Sequence, residues 1–210
     1  MKIAIITDTH FGARNDNANF NEYFFKFYEN LFFPTLIERG ITTCIHMGDV
    51  MDRRKYVSYK TATDFRKRFI DKFVEIGVDL HLIVGNHDTY YKNNNTVNSL
   101  QEIAQQYSNW EIHSEPIEIQ TSAGCVALLP WINPENEIQS AEFITNTTCS
   151  LLLGHLELCG FQSIRGIFIE HGYDPKHFDK FDVTQMALAE PRRQIVVYGP
   201  VQFECCCRSL

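Results

Sequence analysis

Several features that define other classes of protein are missing from this sequence of 210 residues. No apolar run approaches the ~20 residues that a membrane-spanning helix needs. The formal net charge is −7, so the chain lacks the basic footprint of a nonspecific nucleic-acid binder, although bound divalent cations can supply positive charge locally. No internal repeat or low-complexity segment occurs. These absences leave a globular protein with no contact to a membrane as the expected class.

The cysteines form no Cys-x-x-Cys pair. Cys44, Cys125, Cys149 and Cys159 are widely spaced, and we interpret them as small buried side chains in a reducing compartment. The three adjacent cysteines at 205–207 do not suit a tetrahedral zinc site. A polar cluster follows the first residues too early for a signal peptide. The sequence therefore predicts a cytoplasmic location, which is that of the host cell if the chain is phage-encoded.

The apolar pattern alternates between two periods. Short runs rich in β-branched residues predict buried strands at 2–7, 42–46 and 79–84. Phenylalanines at helical spacing predict one helix from about Asn19, which Pro34 interrupts, and a second from Ala62 to near Gly77. Further helices are predicted at 97–106 and about 134–145, with short strands from 110 to 131 and an apolar run at 150–153. This order predicts a layered α/β domain.

Four polar clusters follow the predicted strands. They are ITDTHFG with Asp8 and His10, MGDVMDRR with Asp49, Asp52 and Arg53, VGNHDTYY with Asn86, His87 and Asp88, and LGHLE with His155. Because an open α/β sheet places its ligands beyond the carboxyl ends of its strands, we expect the clusters to meet. Taken singly, each is also explained by turns, helix caps or a structural histidine. Turn chemistry does not require the histidines, whereas a two-metal site needs this mixture of carboxylate, amide and imidazole.

The four clusters, read as DTH, GDVMD, GNHD and GH, resemble the successive motifs of the calcineurin-like metallophosphoesterase superfamily. Longer stretches such as GDVMDRRKYVSYKT and GNHDTYYKNNNTVNSL resemble its SbcD-like branch of DNA repair nucleases, in the form of the phage recombination endonuclease subunits. The resemblance covers about residues 1–183. It implies the layered metallophosphoesterase fold, in which β-sheets are sandwiched by helices.

The resemblance also implies a role for each residue. Asp8 and His10 would ligate the first metal ion, Asp49 would bridge both ions, and Asn86 and His155 would ligate the second. His87 would transfer a proton to the leaving oxygen, Asp88 would orient His87, and Arg53 would bind phosphate unless it is simply an exposed arginine at a helix start. The two divalent ions would be Mn²⁺, with Fe²⁺ or Mg²⁺ as alternatives. The family reaction is exonuclease and endonuclease hydrolysis of DNA in recombination and double-strand-break repair. The partners would be DNA, a coiled-coil ATPase subunit of the SbcC-like type and a second copy of the chain.

One family motif is missing. A Gly-His-x-His is expected soon after Val183, but the chain continues TQMALAEPRR, and His171 and His177 are the last imidazoles in the sequence. We therefore interpret 1–183 as the nuclease domain and 184–210 as a divergent or frameshifted tail. In this interpretation the C-terminal part of the fold is incomplete, the capping domain is absent and the ATPase-docking segment is missing. Without two imidazoles, we expect weak Mn²⁺ binding and low nuclease activity. The alternatives are a phosphoesterase of other substrates and a catalytically dead remnant that acts as a binding module.

Overall fold

The computed structural model describes residues 2–104, 107–160, 162–164, 167–168, 170–181 and 183–187, and for 104, 162–164, 167–168 and 183–187 it describes the backbone alone. The strands are β1 Ala4–Ile6, β2 Thr43–His46, β3 Asp79–Ile83, β4 Trp110–His113, β5 Ile117–Thr121, β6 Gly124–Leu129, β7 Leu151–His155, β8 Gln162–Ile164, β9 Ile167–Phe168 and β10 Val183–Ala187. The helices are α1 Ala13–Asp16, α2 Ala18–Phe27, α3 Phe33–Glu38, α4 Tyr59–Phe65, α5 Asp71–Ile76, α6 Ser99–Ala104 and α7 Glu137–Asn146. No helix within these ranges is long and apolar enough to span a bilayer.

Two four-stranded sheets form the centre of the fold. The first has the order β1-β2-β3-β4 and is parallel throughout. The second has the order β10-β7-β6-β5, in which β5 alone runs antiparallel to its neighbour. A short antiparallel pair, β8-β9, lies outside both sheets. Parallel strands bring all their carboxyl ends to one edge of a sheet, so the loops after β1, β2 and β3 share one side of the molecule.

Three apolar clusters show that the sheets lie between helical layers. Side chains that alternate along a strand face opposite sides of its sheet, and β6 shows this directly. Val126 and Leu128 pack between the sheets with Ile45 and Ile83, whereas Ala127 and Leu129 face the outer cluster to which Ile144 of α7 contributes. The third cluster joins the first sheet to α2 through α5. The layers therefore run helix, sheet, sheet, helix, which confirms the predicted fold class.

Both predicted phenylalanine-rich helices form. Phe65, Phe69 and Phe73 are fully buried, and the rings of Phe69 and Phe73 meet those of Tyr28 and Phe33 in the first helical segment edge-on. Each segment passes through a π-helical turn, Tyr28–Phe32 before α3 and Arg66–Ile70 before α5. Pro34 lies at the start of α3, directly after the π-helical turn of the first segment. The second segment ends at Gly77, whose φ of 67° is a left-handed cap that favours glycine.

The structure corrects one expectation about the cysteines. Cys44 is a free, buried thiol as predicted, but Cys125 and Cys149 form a disulfide. The reason is the pairing of β6 with β7, in which Val126 lies opposite Leu151 and brings the two Cα atoms to 5.2 Å. That register could not be derived from the spacing of the cysteines along the chain.

A further strand was not predicted. Val183–Ala187 forms β10, parallel to β7, with Ala187 opposite His155. Its carboxyl end therefore lies at the same edge as the loops that carry the polar clusters. Residues 188–210 lie outside the described part of the chain.

Candidate metal centre

The polar clusters meet at the edge of the first sheet, as expected from strand order. Asp8 follows β1, Asp49 follows β2, Asn86 follows β3, and His155 is the last residue of β7. Backbone hydrogen bonds join the first two loops: Asp8 N–H donates to the Gly48 carbonyl at 3.1 Å, and His10 N–H donates to the Asp49 carbonyl at 3.1 Å. The two loops therefore hold their side chains at fixed separations.

The backbone at these positions is strained. Asp8, His10 and Asp49 have φ angles of 52°, 42° and 54°, in the left-handed region that non-glycine residues seldom occupy. Such conformations cost about 1–3 kcal/mol each and cluster at functional sites, where the surrounding structure maintains them. Here the strain turns three potential ligands toward one point.

Glycine is required at Gly85 for close packing of the loops. A Cβ atom on Gly85 would lie 2.2 Å from the Asp49 backbone nitrogen and 2.3 Å from its Oδ1 atom. Gly48 has a φ of 92°, and a Cβ there would approach Gly85 Cα to 2.8 Å. The glycines that precede Asp49 and Asn86 therefore allow the second and third loops to touch.

Asp49 lies at the centre of the cluster and is almost completely buried. Its Oδ1 atom accepts a hydrogen bond from the His87 backbone N–H at 2.8 Å and lies 3.4 Å from His155 Nε2. Its Oδ2 atom lies 3.9 Å from His10 Nε2, which is in turn 3.7 Å from an Asp8 oxygen. The carboxylate thus faces one imidazole on each side, which is the position expected of a bridging ligand.

The contacts of His155 show that the centre suits a cation. Its Nδ1 atom lies 2.9 Å from the Met47 carbonyl, which must accept a proton from it, so Nε2 of the neutral imidazole carries a lone pair. That lone pair faces the Asn86 side chain at 2.8 Å and Asp49 Oδ1 at 3.4 Å. When the Asn86 side-chain oxygen faces His155, three acceptors converge, as around a metal ion: His155 Nε2, Asn86 Oδ1 and Asp49 Oδ1. With the amide rotated, its nitrogen donates to both neighbours, so the geometry accommodates either a metal ion or the amide nitrogen.

The electrostatic field at the centre is negative. Burial lowers the pKa of His10, but the hydrogen bond to Asp8 and the charge of Asp49 outweigh burial and raise it above its usual value. Burial raises the pKa of Asp8, but its contacts with His10 and Thr7 leave that pKa below its usual range. His10 Nδ1 is buried without a hydrogen-bond partner among the described residues. Carboxylate, amide and imidazole donors in such a field fit a divalent ion of the manganese, iron or zinc type.

His87 and Asp88 do not contact each other as a hydrogen-bonded pair. His87 Nδ1 lies 2.6 Å from the Asp52 carbonyl, and its ring meets the ring of His10 edge-on. The Asp88 carboxylate accepts from the Met51 and Gly85 backbone N–H groups, each at 2.9 Å. Burial, followed by the charge of Asp49, raises the pKa of Asp88 to about 7. Asp88 therefore fixes the loops around His87, and its role in orienting that imidazole stays a prediction.

The two arginines after Asp52 have different surroundings. The Arg53 guanidinium is paired with Asp16 and lies over the Tyr56 ring. The Arg54 guanidinium donates to Thr89 Oγ1 at 3.1 Å and lies over the Trp131 ring at 5.1 Å. Burial lowers the pKa of Arg54 and the negative charge of Asp49 opposes that change, so Arg54 lies within the field of the centre. The sequence singled out Arg53 and gave no signal for its neighbour.

Sequence reasoning also missed His46, which lies fully buried at the end of β2. Its Nδ1 accepts from the Gly48 N–H at 3.2 Å, so its Nε2 proton is directed at Thr9 Oγ1, 3.0 Å away. The Thr9 hydroxyl then donates to the Val50 carbonyl at 3.3 Å. This relay ties the loop of Asp8 and His10 to the loop of Asp49. In the sequence His46 is a single histidine inside an apolar strand, and nothing in that pattern indicates these hydrogen bonds.

Fold and site together define a class of metal-dependent hydrolase. The chain belongs to the calcineurin-like phosphoesterase family, which it matches over residues 1–198. The members of this family are hydrolases that use divalent metal ions, and the match extends past Val183.

One relative of the chain is named as an exonuclease subunit. The chain is 35% identical over 138 residues to exonuclease subunit 1 of Enterobacteria phage T4. The matched region is 66% of this chain and 40% of the phage protein, so the chain spans about two fifths of the length of that relative. Among solved structures, the chain is similar to a protein of unknown function from Aquifex aeolicus, with 18% identity and a TM-score of 0.43 over 73% of this chain and 77% of that one.

Proposed function

We propose that this chain is a metal-dependent phosphodiesterase that acts on DNA. The convergence of His155, Asp49 and Asn86 supports this proposal most directly, because their imidazole, carboxylate and amide groups can together hold a cation. The similarity to a phage exonuclease subunit supports the choice of phosphodiester as substrate. The proposed metal is Mn²⁺, with Asp8 and His10 on one ion, Asn86 and His155 on the other, and Asp49 between them.

Two bound ions would supply positive charge against the phosphate and would lower the pKa of a bound water toward ~7. The proton transfer would be carried out by a side chain of the protein. His87 presents its Nε2 to the same space, because Nδ1 faces the Asp52 carbonyl. In our proposal His87 acts as the imidazolium, which keeps its Nδ1 proton on the Asp52 carbonyl and gives its Nε2 proton to the leaving oxygen. Proton transfer by a positioned imidazole contributes about 10²–10⁴-fold to a rate.

The surface beside the centre suits a nucleic-acid strand. Three consecutive cations each lie over an aromatic ring, Arg53 over Tyr56 at 4.8 Å, Arg54 over Trp131 at 5.1 Å and Lys55 over Tyr90 at 5.3 Å. The Tyr56 and Tyr90 side chains are exposed. Cations interleaved with aromatic rings are the features that hold single-stranded nucleic acid, through phosphate contacts and base stacking.

Arg54 is the cation that we assign to the scissile phosphate or its neighbour. It follows Asp52, whose carbonyl contacts His87, and its pKa responds to the charge of Asp49. Arg53, the arginine predicted from the sequence, is paired with Asp16, so phosphate would have to compete with that carboxylate. We infer that Arg53 supports the surface while Arg54 contacts the substrate.

The centre lacks two imidazoles that the family motif would supply after β10. Ala187 lies opposite His155, and the sequence continues LAEPRR, without a histidine. We therefore propose weak metal binding and slow turnover for this chain. We further propose a cytoplasmic location, a coiled-coil ATPase partner and a homodimer, as the resemblance to the SbcD-like branch implies.

The test compares three substrates in the presence of Mn²⁺: an end-labelled single-stranded oligodeoxynucleotide, a bis-aryl phosphodiester and an aryl phosphomonoester. We expect slow cleavage of the oligonucleotide that chelation with EDTA abolishes, and little hydrolysis of the monoester. Preference for the monoester would instead indicate a phosphoesterase of other substrates. Absence of hydrolysis of all three, with Mn²⁺ bound, would indicate a catalytically dead binding module.

Two substitutions assign the roles. His87→Asn should lower turnover about 10²-fold or more while leaving Mn²⁺ affinity unchanged. A parallel loss of affinity would show that His87 is a ligand, which its position with His10 and Asp49 also permits. Arg54→Met should raise the KM for the oligonucleotide, whereas Lys72→Met, an exposed cation on α5, should not.

A further inference from the structure

A second cluster of imidazole and carboxylate groups lies on the β3–β4 edge of the first sheet. His81 lies on β3, and Glu111 and His113 lie on β4, the last strand of that sheet. The register pairs His81 with Glu111, so the side chains of those two residues project from the same face, and His113 follows two residues later on that face. None of these residues belongs to the centre around Asp49.

The separations between the donor atoms approach those of a metal site. His81 Nδ1 lies 3.1 Å from His113 Nε2 and 3.5 Å from a Glu111 oxygen, which is 3.9 Å from His113 Nε2. Ligands held 2.0–2.1 Å from a tetrahedral zinc ion stand about 3.3 Å apart. Each separation therefore lies within about 0.6 Å of that geometry, a difference that rotation of the exposed Glu111 side chain can close.

The protonation of the two imidazoles is compatible with metal binding. A nitrogen-to-nitrogen distance of 3.1 Å is a hydrogen bond, so at least one of the two facing nitrogens carries a lone pair. Burial lowers the pKa of His81, and burial followed by the charge of His81 lowers that of His113 to about 4. Neutral imidazole is the form that coordinates a metal ion.

Burial of the three side chains decreases from one end of the cluster to the other. His113 is 7% exposed and His81 15% exposed, whereas Glu111 is 65% exposed. Ile45 lies opposite His81 on β2, so the inner side of the cluster is apolar. Two fixed imidazoles with an apolar inner wall, one carboxylate and an open outer side leave room for a water as the fourth ligand.

We propose that His81, Glu111 and His113 bind one divalent ion of the zinc type. Two imidazoles and one carboxylate favour Zn²⁺, Ni²⁺ or Cu²⁺ over Ca²⁺ or Mg²⁺, which prefer oxygen ligands. The ion would link the edge strand β4 to β3. This site is independent of the proposed phosphodiesterase activity, since it shares no ligand with that centre.

The test uses the full chain with Asp49→Asn, which weakens the other centre, and titrates Zn²⁺ against a chromophoric chelator. Adding Glu111→Gln should weaken the affinity about tenfold or more, and adding His81→Asn should remove one Zn²⁺ per chain. Because Glu111 is exposed, its substitution leaves the core intact even if a histidine variant unfolds. Thermal melting without metal verifies the fold of each variant. His177→Asn, at an exposed histidine elsewhere, is the matched control.

The proposal would be overturned if adding His81→Asn or Glu111→Gln to Asp49→Asn left the Zn²⁺ affinity and stoichiometry unchanged. The contact between His81 and His113 would then be a simple hydrogen bond between neutral histidines. A loss of affinity in the His177→Asn control as large as that in Glu111→Gln would also overturn it. Visible absorption of bound Co²⁺ provides a second readout. A tetrahedral spectrum that His81→Asn abolishes supports the site, and a spectrum unchanged by that substitution contradicts it.

Discussion

The buried histidine His46 makes the stability of this protein depend on pH in a way that can be calculated. Burial lowers its pKa from 6.5 to about 3 in the folded state, chiefly by desolvation. In the unfolded chain the imidazole takes up a proton below pH 6.5 and in the folded chain it does not, so the unfolded state binds more protons between pH 3 and 6.5. Stability therefore falls as the pH falls through that window. The contribution lost is about 2 kcal/mol at pH 5 and about 4 kcal/mol at pH 3.

The substitution that tests this effect is His46→Gln. Its amide can still donate to Thr9 Oγ1 but does not titrate. The assay is chemical unfolding from pH 7.5 to pH 5. The destabilisation of His46→Gln relative to the wild type should shrink by about 2 kcal/mol at the lower pH. A difference that stays constant with pH would refute the reasoning. His177→Gln, at an exposed histidine, is the control and should follow the wild type.

Two further predictions concern packing. Phe69→Ala should lower the free energy of unfolding by about 3–5 kcal/mol in denaturant titrations, because the ring is fully buried among aromatic neighbours. Its control is Tyr59→Ala, at a residue 93% exposed, which should change that free energy by about 0.5 kcal/mol or less. Gly85→Ala should abolish Mn²⁺ binding in a fluorescence or calorimetric titration, because its Cβ would collide with Asp49. Gly77→Ala, where φ is 67° but the space is open, should cost about 1–2 kcal/mol and leave Mn²⁺ binding intact. Equal effects of the two glycine substitutions on metal binding would contradict the steric argument.

The positions of the proposed metal ligands could be predicted because a short stretch of sequence is enough to recognise each of them. Asp8, Asn86 and His155 each stand at or just after the end of an apolar run, and the parallel order of strands fixes where those ends meet. The phenylalanine spacing likewise predicts the buried face of the second helical segment, where Phe65, Phe69 and Phe73 are buried, because side chains three and four residues apart share one face. In the first segment the buried side chains before α3 are instead Phe25 and Tyr28, and Leu31 is exposed. The sequence therefore predicted most of the layered fold and the convergence of the five residues that we propose as metal ligands.

The remaining features depend on contacts between distant parts of the chain. Arg53 and Arg54 are adjacent and identical in type, yet the first pairs with Asp16 whereas the second contacts Thr89 and Trp131. The Cys125–Cys149 disulfide and the strand β10 follow from sheet register, which hydrophobic pattern alone does not determine. His46 is recognised only through its contacts with Thr9 and Gly48 in other loops.

The central claim is that Asp49 lies between two pairs of metal ligands, Asp8 with His10 and Asn86 with His155, and joins them into one metal centre. Titration of Mn²⁺ followed by the electron paramagnetic resonance signal of the free ion tests it most directly. The wild-type chain should take up Mn²⁺ weakly, and Asp49→Asn should abolish that uptake, since the carboxylate lies between His10 and His155. Equal Mn²⁺ uptake by the wild type and Asp49→Asn, or no uptake by the wild type, would contradict the account.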